Sequence, residues 1–158
     1  MPNPYINDQV ARTETAAALG RLLADSYILY LKTQGFHWNV VGPQFEPLHA
    51  MFQEQYTELA QAIDDIGERI RALGVKAHGS FSQFVTLSSI SEETGSPAAH
   101  AMLSQLLSDH STASRTALQA VSAAETHGDV ATADLATQRV MQHEKTAWMR
   151  GSLLDHSN

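Results

Sequence analysis

The stretch FHWNVVGPQFEPLHAMFQEQY, residues 36–56, carries two histidines twelve positions apart, with the dipeptide Gly-Pro between them. Fifteen positions after the second histidine comes DDIGER, residues 64–69, which places Asp64 and Glu68 about one helical turn apart. The chain has no cysteine, so histidine and carboxylate are the metal ligands that it has available. Because Gly-Pro predicts a turn, the stretch indicates two helices that meet at a short link and carry candidate metal ligands.

The composition predicts one folded domain over residues 1–158. Hydrophobic residues make up 43% of the chain, which is long enough to bury a core of its own. A formal net charge of -7 argues against a nucleic-acid surface over the whole molecule. The N-terminal MPNPYINDQV lacks the basic and apolar segments of a secretory signal, and no apolar run reaches membrane-spanning length. We therefore expect a soluble cytoplasmic protein without a membrane contact.

Four long segments show helical periodicity, and their ends carry recognisable signals. Gly74 is typical of the end of the second helix. Ser96 followed by Pro97 is typical of the start of the third, and Asp129 of the start of the fourth. The predicted helices cover about residues 8–37, 44–73, 96 through 121, and 129–153.

The lengths of the connections predict the topology. Helices one and two, and helices three and four, are joined by a few residues each, which is typical of antiparallel neighbours. The link over residues 75–95 is long enough to run the length of a bundle, and its FSQFVTL segment predicts a short helix. The predicted fold is therefore all-α, a ferritin-like four-helix bundle with a short helix in the long crossover between helices two and three.

The spacing of the candidate ligands does not fit a metal site inside one bundle. A ferritin-type site needs a Glu-x-x-His pair on each of two helices, and the chain has one, Glu46 with His49. On the second predicted helix His49, Gln53, Asp64 and Glu68 fall in one stripe. Yet His49 and Asp64 lie roughly 22 Å apart along the helix axis, so one metal ion cannot contact both.

A second copy of the chain removes this difficulty. If the second helix packs antiparallel against its copy about a two-fold axis, His49 of one chain faces Asp64 and Glu68 of the other, twice per dimer. His37 can join His49 across the short turn. Two imidazoles from one chain and two carboxylates from its partner suit Fe(II) or Zn(II) better than calcium or magnesium.

Each candidate also has a simpler interpretation. Asp64 and Glu68, with Arg71 nearby, are compatible with a solvated charged stripe. His49 is compatible with a boundary histidine that only forms a hydrogen bond. Trp38 can lie against the site or simply pack, and the phase of His110 predicts a structural core residue. Three further histidines have no assigned role: His78, His127 and His156.

The motifs FHWNV, the spaced LH, and DDIGERI followed by LG resemble the Dps family of mini-ferritins, also called DNA-binding proteins from starved cells. The similarity extends from LGRLLADSYILYLKT near residue 19 to HEKTAWM near residue 143. The combined pattern of His-Trp-Asn, a second histidine and Asp-x-x-x-Glu-Arg is specific. The resemblance therefore covers nearly the whole chain.

The resemblance implies a homododecameric hollow shell whose two-fold dimer interfaces carry ferroxidase centres. Such centres oxidise Fe(II), preferentially with hydrogen peroxide rather than O₂, and the shell stores the ferric iron and protects against oxidative stress. By position, the implied catalytic and metal-binding residues are His37, His49, Asp64 and Glu68. Iron is the implied metal, with zinc as an alternative occupant of the same site.

One position departs from the family pattern, which has an acid four residues after the second histidine. Gln53 stands there, and its neutral amide oxygen is a weaker ligand for a hard cation. The fourth helix offers substitutes, because Glu144 recurs with Thr137 and Trp148 on a face expected to point inward, and His143 adjoins it. The alternative is that Glu144 pairs with an interior donor such as a tyrosine hydroxyl and that His143 lies at a helix boundary.

Two further expectations come from the ends of the elements. Glu125, Asp129 and Asp134 correspond to the family's acidic three-fold pore, although acids at a solvated helix N-terminus explain them nearly as well. The first basic residue is Arg12 and the final GSLLDHSN has none, so we expect weak or absent DNA binding. The rival functions are a nucleoid-associated protein that protects DNA mainly by binding it, and a helical scaffold with a vestigial or zinc-filled site.

Overall fold

The computed structural model describes residues 8–155 and folds them into five α-helices without a strand. These are α1 (Gln9–Asn39), α2 (Phe45–Ala72), α3 (Phe81–Leu87), α4 (Ala99–Thr126) and α5 (Val130–Leu154). The long helix α1 packs against α2 and α4, α5 packs mainly against α4, and the short α3 lies on α1. The predicted all-α bundle, with its short helix in the crossover, is confirmed.

Local signals at the helix ends act as the sequence predicts, with one exception. Gly74 follows α2 with a φ of 83°, a conformation that glycine adopts at low cost. Asp129 caps α5, and its side chain accepts a hydrogen bond from the Thr132 amide at 3.0 Å. The third long helix does not begin at Ser96-Pro97. Because the backbone is still extended at Ala98 (φ -67°, ψ 161°), α4 starts one residue later.

The core runs the length of the bundle and consists mainly of aliphatic side chains from α1, α2 and α4. Those without solvent exposure include Leu19, Leu22, Phe52 and Leu106. Burial of this kind drives folding at about 25 cal/mol for each Å² of apolar surface. In the described residues, no helix is both long and apolar enough to cross a membrane.

A buried carboxylate forms hydrogen bonds with the crossover, the segment between α2 and α4. Asp25 of α1 accepts hydrogen bonds from the Ser88 hydroxyl at 2.8 Å, the Ser89 amide at 2.6 Å and the Thr116 hydroxyl at 2.6 Å. Its side chain therefore joins α1, the crossover and α4 at one point. Satisfying a buried carboxylate in this way avoids the cost of leaving it without partners.

The inward face of α5 is polar, which contradicts the predicted orientation of this helix. The buried side chains of α5 include Thr132, Arg139, His143 and Arg150. The stripe that contains Glu144 points outward, and Trp148 on it is 69% exposed. Two expectations for the segment HEKTAW, residues 143–148, are therefore wrong. Glu144 was expected to point inward and is exposed, and His143 was expected at a helix boundary and is a core residue.

The interior of the bundle accepts these polar groups because other helices supply partners. The guanidinium of Arg139 forms an ion pair with Glu58 of α2. His143 is fully buried, and its Nδ1 lies 3.0 Å from Nδ1 of His110 on α4. The predicted core position of His110 is confirmed, with His143 as its unforeseen partner.

Candidate metal centre

The two histidines of the opening stretch are held together by a pair of reciprocal hydrogen bonds. His37 lies near the end of α1 and His49 near the start of α2. Nδ1 of His37 is 2.7 Å from the carbonyl oxygen of His49, and Nδ1 of His49 is 2.7 Å from the carbonyl oxygen of His37. A carbonyl oxygen only accepts, so both Nδ1 atoms donate and carry the proton. The imidazole rings stack with centroids 3.7 Å apart and an interplanar angle of 13°.

This arrangement fixes the tautomer of both rings. A neutral imidazole protonated on Nδ1 has its lone pair on Nε2, which is the form that binds a metal ion. Only 7% of the surface of His37 remains exposed, while His49 is half-buried. Within residues 8–155 the hydrogen bonds of the two imidazoles use Nδ1, and none uses Nε2. The pair thus presents two nitrogen donors that already have the required tautomer.

Aromatic side chains restrict the movement of both rings. The Phe45 ring stacks on His49 with centroids 5.0 Å apart, and the Tyr56 ring meets His37 edge to face at 5.2 Å. Trp38 is 62% exposed and, in a single chain, packs little. Gln53 is also exposed, one turn after His49 on α2. The histidine end of α2 is therefore a preorganised surface with a neutral amide beside it.

The carboxylates lie at the other end of α2. Asp64 and Glu68 are exposed and line a cleft of about 360 Å³ between α1, α2 and the start of the crossover. Arg71 lines the same cleft, but its guanidinium donates to the Val75 carbonyl at 3.0 Å. No ion pair within residues 8–155 includes Asp64 or Glu68. Neither acid therefore has an ion-pair partner among these residues, and the Arg71 guanidinium shares the cleft with them.

A single chain does not bring the two ends together. Among the described residues, no group of three or more histidines and acids is close enough to hold a metal ion. Helix α2 separates the pair at His37 and His49 from the acids at Asp64 and Glu68. This is the spacing from which the sequence predicts a site shared between two chains.

The substitutes proposed for the missing acid do not reach this region. His143 is buried against His110, and Glu144 is exposed on the outer stripe of α5. Burial lowers the pKa of His143 well below its usual value, and the nearby His110 and Arg139 lower it further. His143 is therefore a neutral core residue with no access to an ion at α2.

The predicted pore acids separate into two kinds. Glu125 and Asp134 are exposed, whereas Asp129 is 3% exposed and pairs with Arg69 at 2.9 Å. Burial alone raises the pKa of Asp129, but hydrogen bonds from Thr132 and Arg69 hold it below its usual value. The carboxylate of Asp129 is committed to the helix cap and this ion pair, whereas Glu125 and Asp134 are exposed, and the pore assignment of the three acids stays a prediction.

Known proteins resemble this chain in sequence and fold. The family model for a ferritin-like domain matches residues 16–158. A low temperature-induced protein of Nostoc is 40% identical over 87% of this chain and 78% of its own length. DNA protection during starvation protein 2 of Bacillus anthracis is 35% identical over 87% of this chain and 94% of its own length.

The solved structures give the same result. The Dps protein of Vibrio cholerae O1, described as a member of a broad superfamily of ferritin-like diiron-carboxylate proteins, superposes with a TM-score of 0.92. It is 32% identical, and the alignment covers 97% of this chain and 96% of that one. The bundle and its crossover are thus a ferritin-like domain. Within that class, the chain belongs to the Dps family.

Proposed function

We propose that this protein is a mini-ferritin that oxidises Fe(II), preferentially with hydrogen peroxide, and stores the ferric product inside a homododecamer. Support comes first from the reciprocal hydrogen bonds between His37 and His49, which leave two Nε2 lone pairs for a metal ion. The free carboxylates of Asp64 and Glu68 supply the matching oxygen ligands from a second chain.

In this proposal iron is the substrate and the two chains build its binding site. His37 and His49 of one chain bind Fe(II) through Nε2, and Asp64 and Glu68 of the other bind it through carboxylate oxygens. Two Fe(II) ions each give one electron to hydrogen peroxide, the O–O bond breaks, and two protons complete two water molecules. The negative carboxylates stabilise the higher charge of Fe(III), which favours the oxidised product.

Iron must also enter the shell. Exposed Glu125 and Asp134 lie at either side of the short link between α4 and α5. Acids that converge around an opening raise the local concentration of cations, and this supports an acidic entry route. We place the protein in the cytoplasm, where it would protect against oxidative stress by removing both Fe(II) and peroxide.

A mixing experiment tests whether the site is shared. The Asp64→Ala/Glu68→Ala chain should assemble but lose fast peroxide-dependent iron oxidation, and His37→Ala/His49→Ala should behave alike. When the two variants are refolded together, each mixed dimer has one centre with all four ligands, so activity should return. The Asp65→Ala variant is the matched control, because Asp65 is an exposed neighbour that accepts a hydrogen bond from Gln61. Mixed assemblies without activity, or active monomers, would contradict the shared site.

The name of the Bacillus anthracis relative favours DNA protection as a second candidate function. Several cations of this chain are committed inside the molecule, since Lys32 pairs with Asp109, Arg69 with Asp129, and Arg139 with Glu58. With a net charge of -7, we expect weak or absent DNA binding near neutral pH. Retardation of plasmid DNA at physiological salt, in the absence of divalent ions, would favour a nucleoid role.

A further inference from the structure

Three tyrosines form a continuous row of ring contacts between α1 and α2. The Tyr56 ring of α2 meets the Tyr30 ring of α1 edge to face, with centroids 5.9 Å apart. Tyr30 in turn meets Tyr27, one turn earlier on α1, with centroids 6.1 Å apart and an interplanar angle of 70°. All three residues are half-buried. The row therefore joins three oxidisable side chains without a gap between neighbouring rings.

The row ends at the two separate parts of the candidate centre. At one end the Tyr56 ring meets the His37 ring edge to face, with centroids 5.2 Å apart. At the other end Tyr27 lines the cleft that contains Asp64 and Glu68. When the centre is shared about a two-fold axis, the histidines and the acids of one chain belong to different centres of the dimer. The row of each chain then leads from one centre to the other.

The hydroxyl groups of the row have no structural partner. Within residues 8–155 no hydrogen bond engages the hydroxyl of Tyr27, Tyr30 or Tyr56, and none of these oxygens is a buried atom without a partner. Phenylalanine forms the same kind of ring contact, as Phe81 and Phe84 do with Tyr27. What a tyrosine adds is a phenol that can give up one electron and its proton. The row is therefore suited to electron transfer as well as to packing.

The number of electrons at one centre gives such a row a purpose. Reduction of hydrogen peroxide to two water molecules takes two electrons and two protons, whereas one Fe(II) supplies a single electron. Gln53 is neutral where an acid is expected, so a second Fe(II) at the same centre is bound weakly. A single Fe(II) acting alone would convert peroxide to hydroxide and a hydroxyl radical. The second electron has to come from another part of the dimer if the product is water.

We propose that Tyr56, Tyr30 and Tyr27 form an electron-transfer path through which the two centres of a dimer reduce one peroxide together. The inference rests on the function proposed above. Fe(II) at the first centre and Tyr56 each give one electron to peroxide. The O–O bond breaks, and the phenolic proton and one proton from solvent complete two water molecules.

The remaining steps return the path to its starting state. Tyr30 gives an electron and a proton to the Tyr56 radical, and Tyr27 does the same for Tyr30. Fe(II) at the second centre then gives its electron to the Tyr27 radical, which takes up a proton from solvent. In sum, two Fe(II), one peroxide and two protons become two Fe(III) and two water molecules.

A single turnover with one Fe(II) per chain tests the path. The assembled protein is loaded without oxygen and mixed with one peroxide for every two chains, and freeze-quench electron paramagnetic resonance follows the radical. The unmodified protein should show a transient tyrosyl radical and oxidise two Fe(II) per peroxide. Tyr56→Phe should abolish this radical, whereas Tyr27→Phe should prolong it because the exit to the second centre is lost. Tyr30→Phe should lower the ratio from two towards one and release hydroxyl radical to a spin trap.

Two control variants separate electron transfer from packing. Phe81→Leu removes an edge-to-face contact with Tyr27 but no phenol, and Phe81 is exposed. It should leave the radical and the ratio unchanged, and a lowered ratio in this variant would assign the tyrosine effects to packing. Trp38→Phe removes the exposed indole beside His37. If the radical disappears in Trp38→Phe and persists in Tyr56→Phe, the path does not run through the tyrosines.

The result also distinguishes this inference from the proposed function. If Asp64→Ala/Glu68→Ala keeps fast peroxide-dependent oxidation, the shared centre itself is wrong. If that variant loses the oxidation while Tyr30→Phe still oxidises two Fe(II) per peroxide, the centre stands and the path is wrong, whether or not a radical forms. Loss of the oxidation in the first variant together with a lowered ratio in the second supports both.

Discussion

His37 and His49 each donate from Nδ1 to the other's backbone carbonyl oxygen, at 2.7 Å in both directions. Each ring is thus oriented by a main-chain atom of the neighbouring helix, and the turn between α1 and α2 sets the distance. Because the acceptors are backbone atoms, removing one imidazole leaves the hydrogen bond of the other intact. The two nitrogen donors can therefore be removed one at a time.

The first prediction uses this independence. His37→Ala removes one Nε2 donor, while His49 still donates to the carbonyl of residue 37. We expect iron oxidation to slow by about 10- to 100-fold, with an assembled shell and one remaining imidazole ligand. Stopped-flow absorbance after mixing with Fe(II) and peroxide measures the rate. An unchanged rate in His37→Ala would remove this residue from the site, and His100→Ala serves as the control.

The second prediction concerns Gln53. In the unmodified protein we expect one firmly held metal ion per centre, bound by His37, His49 and Glu68, with Asp64 as a direct or water-mediated ligand. The second position should be weak, and Gln53→Glu should raise its occupancy because the acid adds a negative charge. Anomalous-scattering maps of metal-soaked crystals give both occupancies. Two fully occupied positions before substitution, with Gln53 as a direct ligand, would show this expectation to be wrong.

The third prediction is a loss of stability in acid. Burial lowers the pKa of His110 to about 3, with smaller contributions from Arg150 and Arg139, and burial also lowers that of His143. In the unfolded chain both titrate near 6.5. Because the pKa of each histidine is lower in the folded state, the unfolded chain takes up protons first as the pH falls. The stability that the neutral histidines contribute is therefore present above pH 6.5 and is lost as the pH falls below it. The free energy of unfolding should fall by up to about 4 kcal/mol between pH 6.5 and 5.

Denaturant titrations at pH 7 and pH 5 measure this effect. His110→Gln/His143→Gln replaces the pair with groups that do not ionise but still form hydrogen bonds. The double variant should lose less stability than the unmodified protein over the same pH interval. Equal losses in the two proteins would show that other groups control the acid response.

The fourth prediction separates the acids near the start of α5. Asp129→Ala removes a helix cap and the ion-pair partner of Arg69, which should cost about 2–5 kcal/mol of stability. Asp129→Ser keeps a capping oxygen and should cost less. Asp134→Ala changes an exposed side chain and should stay within about 0.5 kcal/mol. Thermal unfolding ranks the three variants, and a large loss in Asp134→Ala would contradict the assignment.

The sequence predicts those parts of the molecule that depend on local signals. Gly74 ends α2 and Asp129 begins α5 because a glycine and a capping acid act on the nearest turn of helix. The FSQFVTL segment likewise becomes α3. The α2 stripe of His49, Asp64 and Glu68 follows from helix geometry, and it correctly indicates that one chain cannot bring them together.

Other features depend on contacts between distant residues, which leave no local pattern. The periodicity around Trp148 predicted the wrong inward face for α5, because Arg139 and His143 are accommodated inside by Glu58 and His110 from other helices. No sequence pattern predicted that Asp25 is buried and accepts hydrogen bonds, since its partners lie more than sixty positions away. The tautomers at His37 and His49 depend on backbone carbonyls, whose positions only the folded turn defines.

The three hydrogen bonds to Asp25 also have a consequence for how the molecule opens. A connection as long as residues 75–98 would ordinarily fray and reclose independently of the helices, on a timescale far shorter than that of global unfolding. The amide of Ser89 is bonded at 2.6 Å to a carboxylate buried between α1 and α4, so its opening breaks a hydrogen bond to the interior of the bundle. We expect its hydrogen exchange to be as slow as that of the core. The crossover and the bundle would then unfold as one cooperative unit.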